Sequence, residues 1–157
     1  MLKTVTSSRK RTRVGGHFCI VASSYNARYV DSMLKAAKAT LERAGVAEVE
    51  VIRVPGAFEI PVVAASLAQR LTPRASGIIC LGVILRGATT HAQHIGESVT
   101  QALVNIQVLW RVPVIHEVLL LENEEQARER CLDPRRNRGV EAAETALQMA
   151  GVLRSLG

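Results

Sequence analysis

Apolar residues recur along this chain with two alternating periods. His17–Ala22 (HFCIVA) is a short, nearly unbroken apolar run that predicts a buried strand. From Arg28 to Ala44 the spacing becomes helical, with Val30, Met33, Leu34, Ala37, Leu41 and Ala44 on one stripe and Gly45 as the stop. Val49–Val54 predicts a second strand, closed by Pro55-Gly56. A helix from Pro61 to about Leu71 follows, since a proline costs no hydrogen bond in a first turn; Thr72-Pro73 ends it. Gly77–Val83 predicts a third strand, and a Gly-containing loop then leads to Thr89 or Thr90. Either threonine can cap a long helix whose inward stripe is Ile95, Val99, Leu103 and Ile106. Pro113–Leu121 predicts the fourth strand. Asn123 opens a short helix, Glu124–Cys131, acidic at its start and basic at its end. Arg138–Leu156 forms the last, on Val140, Ala143, Leu147 and Ala150.

Strictly alternating strands and helices, with strands apolar throughout, predict an α/β fold. Its form is a three-layer α/β/α sandwich around a central parallel sheet of about four strands. A chain of 157 residues, 48% hydrophobic and 22% charged, is too apolar for disorder and suits a single domain over residues 17–157. No apolar run approaches the roughly 18 residues of a membrane span, and residues 1–16 are polar and basic. A soluble, cytoplasmic protein without membrane association is expected.

The net charge of +6 suggests nucleic acid until its distribution is considered. Five basic residues (Lys3, Arg9, Lys10, Arg11 and Arg13) lie within residues 1–16, leaving 15 basic against 14 acidic residues in the body. With 3% aromatics there is no stacking platform for single strands, so no nucleic-acid partner is expected and the tail reads as a flexible terminus. Cys19, Cys80 and Cys131 are widely separated, no CxxC or Cys/His pair has zinc-ligand spacing, and Cys19 and Cys80 read as buried thiols. Neither a metal nor a cofactor is indicated.

Parallel sheets bind ligands beyond the carboxyl ends of their strands, and there the polar clusters gather. Gly82–His91 (GVILRGATTH) opens the backbone just where a helix begins, a place that favours an anion such as phosphate. It is not a P-loop, because GxxxxGK[ST] is absent. His91 in the first turn suits proton transfer near neutral pH; a solvent-exposed helix residue is the plainer alternative. His94 could share its face and reads as helix surface or supporting group. His17 reads as structural, and His116 as ambiguous. Phe58 and Glu59 offer a ring and a carboxylate between two prolines, and Tyr25-Asn26 would add a second ring and an amide. Arg130 and Arg138 suit phosphate or a polar ligand edge, whereas Arg128, Arg135 and Arg136 read as solvated charge.

Five stretches together resemble the lumazine synthase family: Ile20–Asn26 (IVASSYN), Val54–Pro61 (VPGAFEIP), Gly82–His91, Glu124–Arg130 (EEQARER) and Asn137–Ala143 (NRGVEAA). They stand in register from about Phe18 to the C-terminus. The resemblance implies a flavodoxin-like sandwich that makes 6,7-dimethyl-8-ribityllumazine, the penultimate step of riboflavin biosynthesis. Its substrates would be 5-amino-6-(D-ribitylamino)uracil and 3,4-dihydroxy-2-butanone 4-phosphate, with phosphate and water released and no cofactor.

By position, the resemblance implies that Tyr25 stacks on the pyrimidine, with Asn26 in support. Ala57, Phe58 and Glu59 would hold the ribityl chain and ring edge, and Val83, Ile84 and Leu85 would line the ring's pocket. Ala88, Thr89 and Arg130 would bind phosphate, and His91 would transfer protons. Three positions depart from the family: Ala92-Gln93-His94 replaces an aromatic and an acid, His116 a phenylalanine, and Arg138 a lysine. The family forms homo-pentamers, in some members shells of twelve pentamers, so that His116, Arg130 and Arg138 would reach a neighbour's site. Riboflavin synthase is a further candidate partner. Two other functions compete: a flavodoxin-like binder holding phosphate at Ser23-Ser24, and a nucleic-acid binder using the Arg9–Arg13 arm.

Overall fold

The computed structural model describes residues 15–157, so the basic tail proposed for residues 1–16 lies almost wholly outside the described residues. Four parallel strands form one sheet in the order β2-β1-β3-β4: β1 His17–Ser23, β2 Glu48–Val54, β3 Ala75–Leu85 and β4 Val114–Leu121. Between and after them run α1 Ala27–Arg43, α2 Ile60–Gln69, α3 His91–Trp110, α4 Glu124–Cys131 and α5 Arg138–Ser155. The result is an α/β sandwich, as the alternation of periods predicts, of the flavodoxin-like type that the family resemblance implies.

The two-residue repeat of a strand sends successive side chains to opposite faces, and β1 shows how this builds two cores. Phe18, Ile20 and Ala22 pack with Val30, Met33, Ala37 and Leu41 of α1 and with the alanines of α5. Cys19 and Val21 face the other way, onto Ile60, Ala64 and Leu67 of α2 and Val99 and Leu103 of α3. All three cysteines are buried free thiols, and burial alone pushes Cys80 up to about 12. Among the described residues, no helix is long and apolar enough to cross a membrane.

Tertiary pairing moves several element ends. β3 extends two residues beyond the Gly77–Val83 run at each end, because Ala75 pairs with His17 and Ile84 and Leu85 pair with Leu120 and Leu121. β4 starts one residue late, since Pro113 has no N–H; its carbonyl instead accepts from the Ile78 N–H at 2.8 Å. The helix expected from Pro61 begins at Ile60, after a single 3-10 turn over Ala57–Glu59.

The join between α4 and α5 is fixed by a buried asparagine that the hydrophobic pattern does not announce. Asn137 Oδ1 accepts from the Gly139 N–H at 2.8 Å and caps α5, while its Nδ2 donates to the Cys131 carbonyl at 2.8 Å. Ser32 Oγ of α1 donates to the same carbonyl at 2.6 Å. Here α5 approaches α1 so closely that a Cβ on Gly139 would lie 2.1 Å from the Met33 carbonyl oxygen.

Gly139→Ala should therefore destabilise the protein by roughly 1–3 kcal/mol or more, because the obstructing atom is backbone and cannot rotate away. Gly151→Ala, later in the same helix, meets nothing closer than the flexible Arg154 guanidinium at 4.0 Å. It should stabilise by about 0.5–1 kcal/mol. Thermal unfolding of the two variants, shifted in opposite directions, checks both.

Candidate active site

From β1 the chain turns toward β2 on one side, and from β3 toward β4 on the other, so the winding direction changes between β1 and β3. A crevice opens outside the strand ends at such a point. Unequal strand lengths enlarge it. β3 pairs with β1 only as far as Ala22 beside Leu81, yet continues along β4 until Leu85 meets Leu121. Val83, Ile84 and Leu85 thus overhang β1 and form a wall.

The overhang's exposed backbone is met by Asn26, whose Nδ2 donates to the Val83 carbonyl at 2.7 Å. Asn26 adopts the left-handed conformation (φ 56°), which asparagine tolerates better than most residues. It stands at the N-cap of α1 but makes no side-chain cap bond there. Its amide serves the strand instead.

The resulting cleft has a volume of about 790 Å³. Of the residues singled out in the sequence, Tyr25, Asn26, Ala57, Phe58, Glu59, Val83, Ile84, Leu85, Thr89 and His91 line it. Ala88 sits between two lining residues, Gly87 and Thr89, without lining the cleft itself. Tyr25 and Phe58 are 73% and 65% exposed, unusual for rings of that size unless a ligand or partner covers them. Glu59 Oε2 accepts from the Gly56 N–H at 3.1 Å, so the carboxylate is oriented by its own loop.

The start of α3 is weakly capped. Thr90 stands at the N-cap, but its hydroxyl lies 3.2 Å from His94 Nε2 and not on a backbone N–H. Only Thr89 Oγ1 accepts from the His91 N–H, at a long 3.4 Å. The positive end of the helix is left able to receive an anion beside the His91 ring. His94, Ile95 and Ser98 also line the cleft and were not assigned to it from the sequence. Their spacing of three, four and seven residues from His91 is the signal that places them on the same helix face.

The Ser23-Ser24 turn does not form the phosphate receptor of the rival flavodoxin-like reading. Ser23 is buried with its hydroxyl unpartnered. The Ser24 and Tyr25 N–H groups are already engaged with the Val54 and Pro55 carbonyls, at 2.7 and 3.0 Å.

Three candidate residues lie outside this cleft. His116, half-buried on β4, accepts from the Val118 N–H through Nδ1 at 3.1 Å and faces Thr100 Oγ1 through Nε2 at 2.7 Å. This pair of contacts selects the neutral Nε2–H tautomer, and burial holds the ring below its ordinary 6.5. Arg138 grips Glu117 with two nitrogens at 3.1 and 3.3 Å and Glu141 with the third at 2.9 Å. Burial raises the Glu117 carboxyl and Arg138 opposes that shift. Arg130 is exposed and forms no ion pair among the described residues. With Arg135, Arg136 and Arg138 it lines a separate depression of about 480 Å³.

Because the folded state disfavours protonated His116, its contribution to stability is complete above pH 6.5 and is lost as the pH falls below that value. His116→Phe should remove this part of the acid sensitivity. Followed from neutral pH to about one unit below 6.5, the melting temperature should fall more steeply for the wild type than for the variant.

Residues 15–154 match the family model described as 6,7-dimethyl-8-ribityllumazine synthase. A relative of that name from Stenotrophomonas maltophilia is 38% identical over 148 residues, covering 93% of this chain and 94% of the relative. One from Xylella fastidiosa is 39% identical over 144 residues (90% and 92%), and one from Xanthomonas oryzae pv. oryzae 38% over 141 (88% and 90%).

Proposed function

The chain belongs to the 6,7-dimethyl-8-ribityllumazine synthase family, enzymes of riboflavin biosynthesis, and we propose that it joins 5-amino-6-(D-ribitylamino)uracil to 3,4-dihydroxy-2-butanone 4-phosphate. The supporting observation is one cleft that gathers two exposed rings, an oriented carboxylate, a histidine and a weakly capped helix start. Tyr25 and Phe58 cover the faces of a flat heterocycle, Glu59 accepts hydrogen bonds from the ribityl hydroxyls or ring edge, and Val83–Leu85 bound the apolar side. The phosphate lies over the start of α3 at Ala88 and Thr89.

In the reaction the uracil amine adds to the ketone carbon. The resulting hydroxyl takes a proton and leaves as water, giving an imine. A proton then leaves the neighbouring carbon as the C–O bond to phosphate breaks, and the enol so formed takes a proton at its terminal carbon to become a ketone. The ribitylamino nitrogen adds to that ketone and a second water leaves, which closes the ring of the lumazine. His91 gives and takes these protons. The helix N-terminus stabilises the charge on the departing phosphate, and holding both substrates in contact supplies much of the rate.

Arg130 completes the phosphate site from a neighbouring subunit. Its support is that it is exposed, in no ion pair among the described residues, and lines a depression that shares no residue with the cleft of its own chain. His116 and Arg138 are assigned to the same subunit boundary, in a homo-pentamer or a multiple of it.

Mixing the protein with both substrates should accelerate lumazine absorbance and phosphate release over the uncatalysed condensation; no acceleration would overturn the assignment. His91→Ala should lower turnover by about 10²-fold, the modest end for a proton-transfer group, because substrate positioning survives. Arg130→Ala should raise the KM of the phosphate substrate far more than that of the pyrimidine. Assayed at a phosphate-substrate concentration well below the KM of Arg130→Ala, where each variant alone turns over slowly, co-assembled particles of the two should recover roughly a quarter of wild-type activity, since random neighbours then supply one intact copy of each residue. Absence of any restoration in mixed particles would place Arg130 outside a shared site.

A further inference from the structure

A second constellation lies at the opposite end of the sheet, where β1 and β2 begin. The register pairs His17 with Glu48 and Cys19 with Glu50. Strand alternation points all four side chains to one face, the face on which Cys19 packs with α2 and α3. His17 Nε2 lies 2.8 Å from Glu50 Oε2, and Cys19 Sγ lies 3.8 Å from the same oxygen. The three donor atoms all fall within 4.8 Å of one another.

Ligand bonds of about 2.0–2.3 Å around a tetrahedral zinc ion separate neighbouring donors by about 3.3–3.6 Å. The donors present therefore need only small rotations to enclose an ion. The other ring nitrogen is already occupied in the way a ligating imidazole requires, with His17 Nδ1 3.0 Å from Glu48 Oε2. Arg70 Nη2 lies 3.0 Å from each Glu50 oxygen, so it can retain Oε1 while Oε2 serves a cation. Glu50 is about one-third exposed while Cys19 is buried, so solvent reaches the cluster from the Glu50 side.

We propose that His17 Nε2, Cys19 Sγ and Glu50 Oε2 form a site for a zinc-type divalent cation, with Glu48 orienting the histidine and the fourth position open to water. The mixed nitrogen, sulfur and oxygen set suits a borderline-soft ion and not magnesium or calcium, which take oxygen. Burial, and then the neighbouring Glu50 carboxylate, push the Cys19 thiol up to about 12, so without a cation the proton stays on sulfur. On binding, that proton leaves to solvent as the sulfur–metal bond forms, and thiolate and carboxylate together neutralise the dication. The site lies at the amino ends of the strands and the cleft at their carboxyl ends, so the cation clamps the edge strand β2 onto β1 and takes no part in the condensation.

Chelator-treated full-length protein, titrated with Co²⁺, should bind one ion per chain with a thiolate-to-metal charge-transfer band that added Zn²⁺ abolishes. Zn²⁺ should also raise the melting temperature. Cys19→Ala should lose the band while lumazine formation persists. Glu50→Gln should weaken binding at least tenfold. Glu48→Gln should weaken it about 10–100-fold yet keep the band at saturating Co²⁺, because the three ligands remain. Both glutamate positions are solvent-accessible, so these two variants test the site even if Cys19→Ala folds poorly. No thiolate band in the wild type would leave only an ion-pair network and overturn the proposal. So would a band that survives Cys19→Ala, or an affinity unchanged by Glu50→Gln.

Discussion

The cleft exists because β3 outlasts β1. Where β1 ends at Ser23, the chain leaves the sheet, and the following residues of β3 lose their neighbour on that side while keeping β4 on the other. An unpaired buried carbonyl there would cost about 1–3 kcal/mol. Asn26 removes that cost at Val83 with a single side-chain bond. The same residue, in a left-handed conformation, ends the turn that places Tyr25 on the rim and starts α1. One short hydrogen bond thus ties together the end of one strand, the wall of the cleft and the position of an aromatic ring.

The layer architecture was legible in the sequence because burial on both faces leaves strands almost without polar interruptions, while each helix keeps one polar face. Most of the cleft was legible for a related reason. A parallel sheet gathers its strand-end loops at one edge, so Tyr25, Phe58, Glu59 and His91 converge without any of them needing a neighbour in sequence. What stayed hidden depends on partners distant along the chain. Ile84 and Leu85 are strand residues only because Leu120 and Leu121 lie beside them. Ser23 and Ser24 have the composition of a phosphate turn, yet β2 takes up the backbone groups that such a turn would offer. Asn137 looks like an ordinary helix cap until Ser32 and Cys131 close around it.

The arginines illustrate why charge counts alone say little about function. Arg138 spends its guanidinium on Glu117 and Glu141, Arg53 on Asp31, and Arg86 on Glu122 beside the end of β3. Arg136 pairs with Glu129 and Arg128 lies near Glu124, in keeping with their reading as solvated helix charges. Arg130 has no such partner among the described residues, and neither has Arg135 in the same depression. The depression that Arg130 lines mixes four arginines with Glu129, Glu141 and Glu144, and an arginine outside its ion pairs can meet an anion without first breaking one.

A parallel sheet with its helices returning on both faces also has an electrical direction. Helix N-termini collect at the carboxyl ends of the strands, and their partial positive charges favour a phosphate over α3. Helix C-termini collect at the amino ends, where the complementary charge is negative. Side chains answer that charge differently along the edge: Arg74, Arg111 and Arg154 gather where β3 and β4 begin. At the amino ends of β1 and β2, Glu48 and Glu50 flank His17, and Arg70, just past the C-terminus of α2, lies within bonding distance of Glu50. Carboxylates assembled at that end need cations, whether a guanidinium or a metal ion, just as the cleft end needs an anion. The backbone direction that makes one end of the sheet a place for phosphate therefore makes the other a place for positive charge.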